Sequence, residues 1–556
     1  MSRHRQKPPT SRPAPPRIEL RFDELGAIVE RAKTALSADD HATLKAAMDT
    51  LAFMTAELEA KRASLERLRR WLFGAPTEKT RTIVGADASP GVPPPEAGAD
   101  AASSSSEPRP PRPGHGRLSA AAYTGADRVT IPHPSLQRGD RCPGCTTGKI
   151  YPLAEPATLV RITGMAPLGA TVYECERWRC NLCGEVFTAP APAEVGDAKY
   201  DATATSMIGL LKYGGGLPFH RIEVLQRGLR IPLPAATQWQ LVHDALPQLV
   251  PAWDELCAQA AQGQVVYNDD TTMKVLALTA EQRRAVADDE ETDARTGVFT
   301  SGIVATRDGH HIALFFTGAQ HAGENLAAVL ARRAADLTPP IQMCDALATN
   351  TAGPFDTLLA HCLAHARRRF VDVVDNFPAE VRYVLETLRA VYRTDALARA
   401  RALSTEERLD VHQAESSPRM TELETWLRQQ LDEHQVEPNS GLGTAIAYML
   451  KHWAKLTLFL RMPGAPLDNN LCERALKKAI LHRKNALFYR SLAGARVGDV
   501  FMSLIHTAEL NDVSPFDYLV ALQRHPQAVA LDPSEWLPWN YAATLAELQS
   551  RVGPPR

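Results

Sequence analysis

Across its 556 residues the sequence has no apolar run approaching the roughly 20 residues that span a bilayer. It also lacks the apolar stretch of a secretory signal: residues 1–16 are basic and proline-rich. Net charge is nearly absent, since 62 Lys and Arg stand against 64 Asp and Glu for a total of −2. Nothing global therefore draws the chain to nucleic acid or a membrane, although a local patch still can. A disulfide framework is excluded as well, because the nine cysteines are odd in number and no secretion signal accompanies them. They read as reduced thiols in a cytosolic protein, some of them holding metal. No internal repeat is present. What is there is 44% hydrophobic residues, enough for sizeable cores and too much for wholesale disorder. The length calls for several units, at roughly 100–200 residues each.

Those units follow from changes of pattern. Residues 20–82 read as a helical leucine-heptad region. Ser37 is its N-cap, with Asp39 and Asp40 in the first turn, and Leu44, Leu51, Leu58, Leu65 and Leu72 recur every seven residues. Two readings fit that row, a dimerising coiled coil or an amphipathic helix packed in a local hairpin. Residues 83–117 form a linker, because between Gly85 and Gly116 there are eight prolines, five glycines and five serines. Residues 118–190 hold the cysteine cluster. Residues 195–260 turn helical, with helices expected at 218–228 and 235–246. They form either a helix-turn-helix, with Gln238, Gln240 and His243 on the second helix, or an ordinary helix pair.

From residue 262 the period changes to strands at 264–276, 297–306 and 310–316, a helix at 324–335 and an apolar run at 340–344. An α/β core with a mixed sheet is expected over 262–510, carrying a helical insertion at about 378–460. A C-terminal helical tail follows at 511–556.

The strongest local signal is Cys142-Pro-Gly-Cys145 with Cys180-Asn-Leu-Cys183. Two such knuckles present four thiolates tetrahedrally, the geometry of structural Zn²⁺, and their 34-residue separation suits a zinc ribbon. Cys175 is a spare or an alternative ligand. Arg177, Trp178 and Arg179 beside the second knuckle are placed to meet a phosphate backbone. A second signal is dispersed. Asp269 and Asp270 end one apolar strand, Asp345 ends another, and Glu473 heads a helix. Carboxylates at strand ends suit a hard cation such as Mg²⁺. Because strand side chains alternate, Asp269 and Asp270 cannot both enter one site.

After Glu473 the balance swings: Arg474, Lys477, Lys478, Arg483, Lys484, Arg490 and Arg496 are seven cations in a stretch with no acid. That is the signature of a phosphate-binding track. Arg367 and Arg368 begin a second basic cluster after His361 and His365. Spaced i, i+4, those histidines would share a helical face, as metal ligands or as a packing pair.

Several strings in order resemble the transposases of the insertion-sequence-66 family. They are Leu68-Arg-Arg-Trp-Leu-Phe-Gly74, Gly114-His-Gly-Arg117, the two knuckles, Asp269-Asp-Thr271, Cys362-Leu-Ala-His-Ala-Arg-Arg368, Asp468-Asn-Asn-Leu-Cys-Glu-Arg474, His482-Arg-Lys-Asn485 and Leu537-Pro-Trp-Asn540. The resemblance implies an RNase H-like core whose DDE triad falls on Asp269, Asp345 and Glu473. It implies Mg²⁺ or Mn²⁺ at that triad, cleavage at the element's ends and strand transfer into target DNA. The partners it implies are double-stranded DNA (terminal inverted repeats and target), at least one further copy of the chain, and accessory proteins of the same element, with the protein in the bacterial cytoplasm on the nucleoid. Arg474, Lys477, Lys478, Arg483, Lys484, Arg367 and Arg368 would contact DNA. Two departures stand out: Asp270 replaces the family's Glu, and Ala346-Leu347 follow Asp345 where Gly-Tyr is usual. The competing readings are a catalytically inactive, transposase-derived DNA-binding protein or regulator, and a nuclease of the same core.

Overall fold

The computed structural model describes residues 22–46, 48–49, 135, 137–141, 147–149, 151, 166–179, 186–190, 192, 198–278 and 297–552. The chain divides into two compact units, Met1–Ala88 with Leu168–Arg556, and Ser89–Pro167. In the smaller unit an antiparallel bridge joins Arg141 to Lys149, and a turn at Gly139, whose φ is +92°, precedes it. The four knuckle cysteines, the linker and the heptad leucines Leu51, Leu58, Leu65 and Leu72 lie outside the described residues.

The larger unit begins with helix α1 (Phe22–Ala32). A second helix starts at Ala38, and Ser37 Oγ accepts from Asp40 N–H at 3.1 Å, so the expected N-cap is present. His41 Nε2 reaches Val29 O at 3.1 Å and Lys45 reaches Glu30 at 3.4 Å, which folds the two helices into a hairpin over this stretch. Next comes a two-stranded hairpin, β1 (Arg177–Arg179) and β2 (Val186–Thr188), bracketing the second knuckle.

Helices α2 (Ala202–Gly209), α3 (Phe219–Gly228), α4 (Ala235–Asp244) and α5 (Leu246–Ala261) lead to a five-stranded sheet. Its strands are β3 (Val265–Thr272), β4 (Phe299–Arg307), β5 (His310–Gly318), β6 (Ile341–Cys344) and β7 (Leu358–His361). The order is β5-β4-β3-β6-β7; β3, β4 and β5 are antiparallel, whereas β3–β6 and β6–β7 are parallel. Helix α6 (Ala322–Leu330) crosses between β5 and β6, and α7 (Leu363–Val371) follows β7.

The expected insertion is helical: α8 (Pro378–Ala400), α9 (Thr405–Val411), α10 (Ser417–Asp432) and α11 (Gly441–Lys451). It builds a core of its own with Met343, Ala360 and Phe370 beside the parallel half of the sheet. The antiparallel half belongs to a separate core with α5, α12 (Asn470–Ala486), α13 (Leu492–Leu510) and α14 (Pro515–Arg524). Helix α15 (Tyr541–Val552) ends the described chain.

Edge strand β5 would expose a row of N–H groups, a template for unwanted pairing. Helix α13 closes it with polar side chains at every fourth position. Thr317 N–H donates to Asp499 at 2.8 Å, Phe315 N–H to Ser503 at 3.0 Å, Ala313 N–H to Thr507 at 3.0 Å and His311 N–H to Asn511 at 3.2 Å. Two strand residues advance about 6.7 Å and four helix residues about 6 Å, so the two ladders stay in step. Asp499 is buried in this seam, and desolvation pushes its carboxyl up to about 7 against the pull of its Thr317 bonds.

Candidate active site

The site begins with register. Parallel pairing sets Tyr267 beside Met343, so Asp269 and Asp345, each two residues further on, come level, Asp269 three residues before the end of β3 and Asp345 just past β6. Asp345 lies just past β6, and a buried amide network fixes its turn. Gln342 Nε2 donates to Asn268 Oδ1 at 3.0 Å and to Asn350 O at 2.7 Å, while Asn350 Nδ2 donates to Asp345 Oδ1 at 2.6 Å. The sequence after Asp345 departs from the family's pattern, yet Leu347 N–H also donates to its carboxylate at 3.1 Å.

Glu473 arrives in the first turn of α12, which is pinned just before it. Asn469 Nδ2 donates to Asn268 O at 3.1 Å, and Cys472 Sγ donates to Gly302 O at 3.2 Å. Gly302 pairs with Asp269 across β3–β4, and a Cβ there would stand 3.0 Å from Leu476. Glycine is what lets the helix lie this close to the sheet on the face that Asp269 occupies.

Asp270 points to the opposite face, as the alternation of strand side chains requires. Its carboxylate accepts from His321 Nδ1 at 3.0 Å and from Ala322 N–H at 3.4 Å, at the start of α6.

The electrostatics separate the two aspartates. Burial pushes the Asp269 carboxyl up to about 7, and the negative charges of Asp345, Asp270 and Glu473 add to the rise. Near Glu473 two further polar atoms lack compensation. Among the described residues neither Glu473 Oε1 nor His365 Nδ1 has a hydrogen-bond partner, although both atoms are buried and stand 3.6 Å apart. Cys362, His365 and Glu473 bring their ligand atoms within 4.8 Å of one another. A cation among these groups would offset the repulsion, and the oxygen donors suit a hard divalent ion. The residues therefore fit the metal that their chemistry calls for.

Beside Asp345 opens a groove of about 360 Å³, lined by His365, Arg368, Arg369, Asp372 and Tyr448 among others. Arg369 stacks on the Tyr448 ring at 3.8 Å from its centre.

The model of the transposase IS66 family matches residues 198–497, more than half of the chain. The chain belongs to that family. Two proteins of Sinorhizobium fredii resemble this transposase over most of its length and are themselves described as uncharacterized. The protein y4jD is 28% identical over 77% of this chain and 84% of its own; y4hP is 28% identical over 75% of each. Membership makes DNA the partner and, in general, a divalent metal the cofactor of this transposase.

The basic residues divide. Arg474, Lys477 and Lys484 are exposed along α12. Lys478 instead pairs with Glu509 at 2.9 Å. Arg483 clamps the end of β3, donating to Thr271 Oγ1 at 3.1 Å and Thr272 Oγ1 at 2.7 Å, so it positions the strand that carries Asp269. Arg367 and Arg368 lie on α7, and Arg368 faces the groove. In the α3–α4 pair Gln238 is buried and donates to Leu233 O at 2.9 Å and Phe219 O at 3.2 Å; it holds the pair together, while Gln240 and His243 are exposed.

The helical pairing expected of His361 and His365 is not formed. β7 ends at His361 and α7 starts at Leu363, so a chain turn separates them. His361 is buried against the His452 ring at 5.0 Å, and burial pushes its imidazole down to about 4. Only His365 reaches the site. Trp426 and Trp453 pack against the insertion's core, Trp426 tilted on Tyr383 at 4.8 Å.

Proposed function

We propose that this transposase cleaves DNA at the element's ends and joins the freed strand to target DNA, using Asp269, Asp345 and Glu473 as a DDE triad on an RNase H-like sheet. The observation that carries the proposal is the level placement of Asp269 and Asp345 on adjacent parallel strands, with α12 delivering Glu473 to the same face. The strand order, three antiparallel strands followed by two parallel ones, supports the RNase H-like reading.

The three carboxylates would hold Mg²⁺ or Mn²⁺. Such ions, when bound, activate an attacking oxygen and stabilise the leaving one during in-line displacement at phosphorus. Asp345 is held by Asn350 and the Leu347 N–H, and Glu473 by the anchoring of α12, so neither needs to reorganise. Water, then the 3′-hydroxyl it frees, attacks phosphorus as the P–O bond to the leaving oxygen breaks; no covalent protein–DNA bond is required. Arg474, Lys477 and Lys484, exposed beyond Glu473, and Arg368 in the groove would take the phosphates. Lys478 and Arg483, held by Glu509 and by Thr271 and Thr272, would support that surface from behind, and Arg367 on α7 would add to its charge.

Upstream, Cys142, Cys145, Cys180 and Cys183 would hold a structural Zn²⁺. Each knuckle is flanked by antiparallel pairing within its own unit, Arg141 with Lys149 and β1 with β2. The leucine row would supply a dimer contact.

The test is a strand-transfer assay with the full chain, Mg²⁺ and a DNA fragment bearing the element's own ends. Joined products from wild type, with none from Glu473→Gln, are expected. Equal joining by both proteins would sink the triad, and cutting without joining would make the protein a nuclease.

A further inference from the structure

Metal chemistry at this site has so far involved carboxylates alone, yet the structure places a nitrogen among them. His365 enters from the first turns of α7, whose start is fastened to the catalytic helix: Leu363 N–H donates to Leu467 O at 3.0 Å, and Asn469 N–H donates to Cys362 Sγ at 3.2 Å. Its Nδ1 faces Glu473 Oε1 at 3.6 Å, and it shares the groove wall with Asp345. That separation is too long for a hydrogen bond. It does match two donors sharing one ion: with each roughly 2.1 Å from the metal, angles between about 90° and 120° set them some 3.0–3.6 Å apart. Both atoms are buried with no hydrogen-bond partner among the described residues and meet only as a long ion pair, an arrangement that an ion shared between them would relieve.

We propose that His365 is a metal ligand of the active site, its Nδ1 and a Glu473 oxygen holding one divalent ion on the Asp345 side of the triad. Cys362 is not part of the set. Its sulfur is buried and already accepts the Asn469 N–H. An imidazole ligand favours transition ions over Mg²⁺, which prefers oxygen. This makes His365 a determinant of metal preference. The inference rests on the triad reading above and adds a fourth protein ligand to it.

Mn²⁺ binding to the full-length protein tests it without any catalytic readout. Titration followed by electron paramagnetic resonance gives affinity, and pulsed measurement gives coupling of Mn²⁺ to nitrogen. Wild type should show nitrogen coupling. His365→Gln should lose that coupling and bind Mn²⁺ roughly tenfold or more weakly, with Mg²⁺ affinity changed less. His365→Asp should restore binding through oxygen while leaving the coupling absent, which separates loss of a ligand from loss of fold. Cys362→Ala should bind as wild type does. If binding depends on Asp269 and Glu473 but the nitrogen coupling is absent in wild type or survives His365→Gln, the ligand assignment is overturned and the triad stands. If Cys362→Ala weakens binding as much as His365→Gln, the site is a thiolate centre and the assignment falls. If Asp269→Asn and Glu473→Gln leave Mn²⁺ binding unchanged, the triad reading itself fails.

Discussion

Two faces of the sheet meet at the end of β3, and they treat neighbouring aspartates in opposite ways. On one face Asp270 is answered by His321 and the start of α6. On the other, burial pushes the Asp269 carboxyl up to about 7, and the charges of Asp345 and Glu473 add to the rise. The insertion supplies a third case: Asp395 is buried too, yet Arg399, Arg408 and His412 all reach it within 3.3 Å. A fold that gives Asp270 and Asp395 cationic or imidazole partners and leaves Asp269 among acids is what the proposed metal site would require. Burial alone does not mark a functional acid: Asp499 is raised as far as Asp269, but its neighbours are the Thr317 donors, whereas the neighbours of Asp269 are further carboxylates.

The largest effect should come from Asp269→Asn. Loss of a charged ligand should lower DNA cleavage by roughly 10²–10³-fold or more, measured as single-turnover nicking of end-bearing DNA. The same substitution removes a buried, repelled charge, so the metal-free variant should melt no lower than wild type. A variant that melts well below wild type would mean that Asp269 is a structural residue and that the contrast between the faces is misread.

The sequence made the site more legible than its surroundings. Apolar runs leading into Asp269 and Asp345 marked strands, and β3, β4, β5 and β6 lie close to their expected positions, although β3 ends at Thr272 rather than 276. Strand β7 was hidden because Leu358–His361 has only four residues and runs into a helix with no Gly or Pro between them. The i, i+4 spacing of His361 and His365 therefore looked helical when it spans a strand-to-helix turn. The ladder on α13 was missed for a different reason. Asp499, Ser503, Thr507 and Asn511 do repeat every four residues, but helix patterns are usually sought in apolar residues, and here the buried stripe is polar. Arg483 shows the limit of charge reading. A basic run says where cations are, and only the fold says that one of them is spent on Thr271 and Thr272.

A middle-sized effect tests the compensated side. The partners of Asp395 hold its carboxyl down to about 2, outweighing desolvation, which acts in the other direction. A carboxyl depressed on folding adds stability above its ordinary value near 4 and loses it as pH falls towards 2. Asp395→Asn should therefore cost about 2 kcal/mol at pH 7, read from urea unfolding. That difference should shrink between pH 4 and pH 2. A cost that stays constant across the window would mean that the ion pairs contribute nothing and that packing alone is lost.

Asp270→Asn should have the smallest effect, and it is the most direct check on the contrast. The amide keeps an oxygen for the Ala322 N–H and for His321 if the ring donates from Nδ1, so the loss is the charged part of one hydrogen-bonded contact, about 1 kcal/mol. Because the side chain faces α6, DNA nicking should stay within about twofold of wild type while Asp269→Asn, one residue away, is nearly inactive. The family's usual glutamate at this position makes the same point from the other direction: Asp270→Glu lengthens the side chain on the α6 face and should change stability without touching the metal site. If Asp270→Asn instead abolished Mn²⁺ binding, both aspartates would be serving one site. The alternation along β3 would then have to break at its last turn, and the assignment of faces would fall with it.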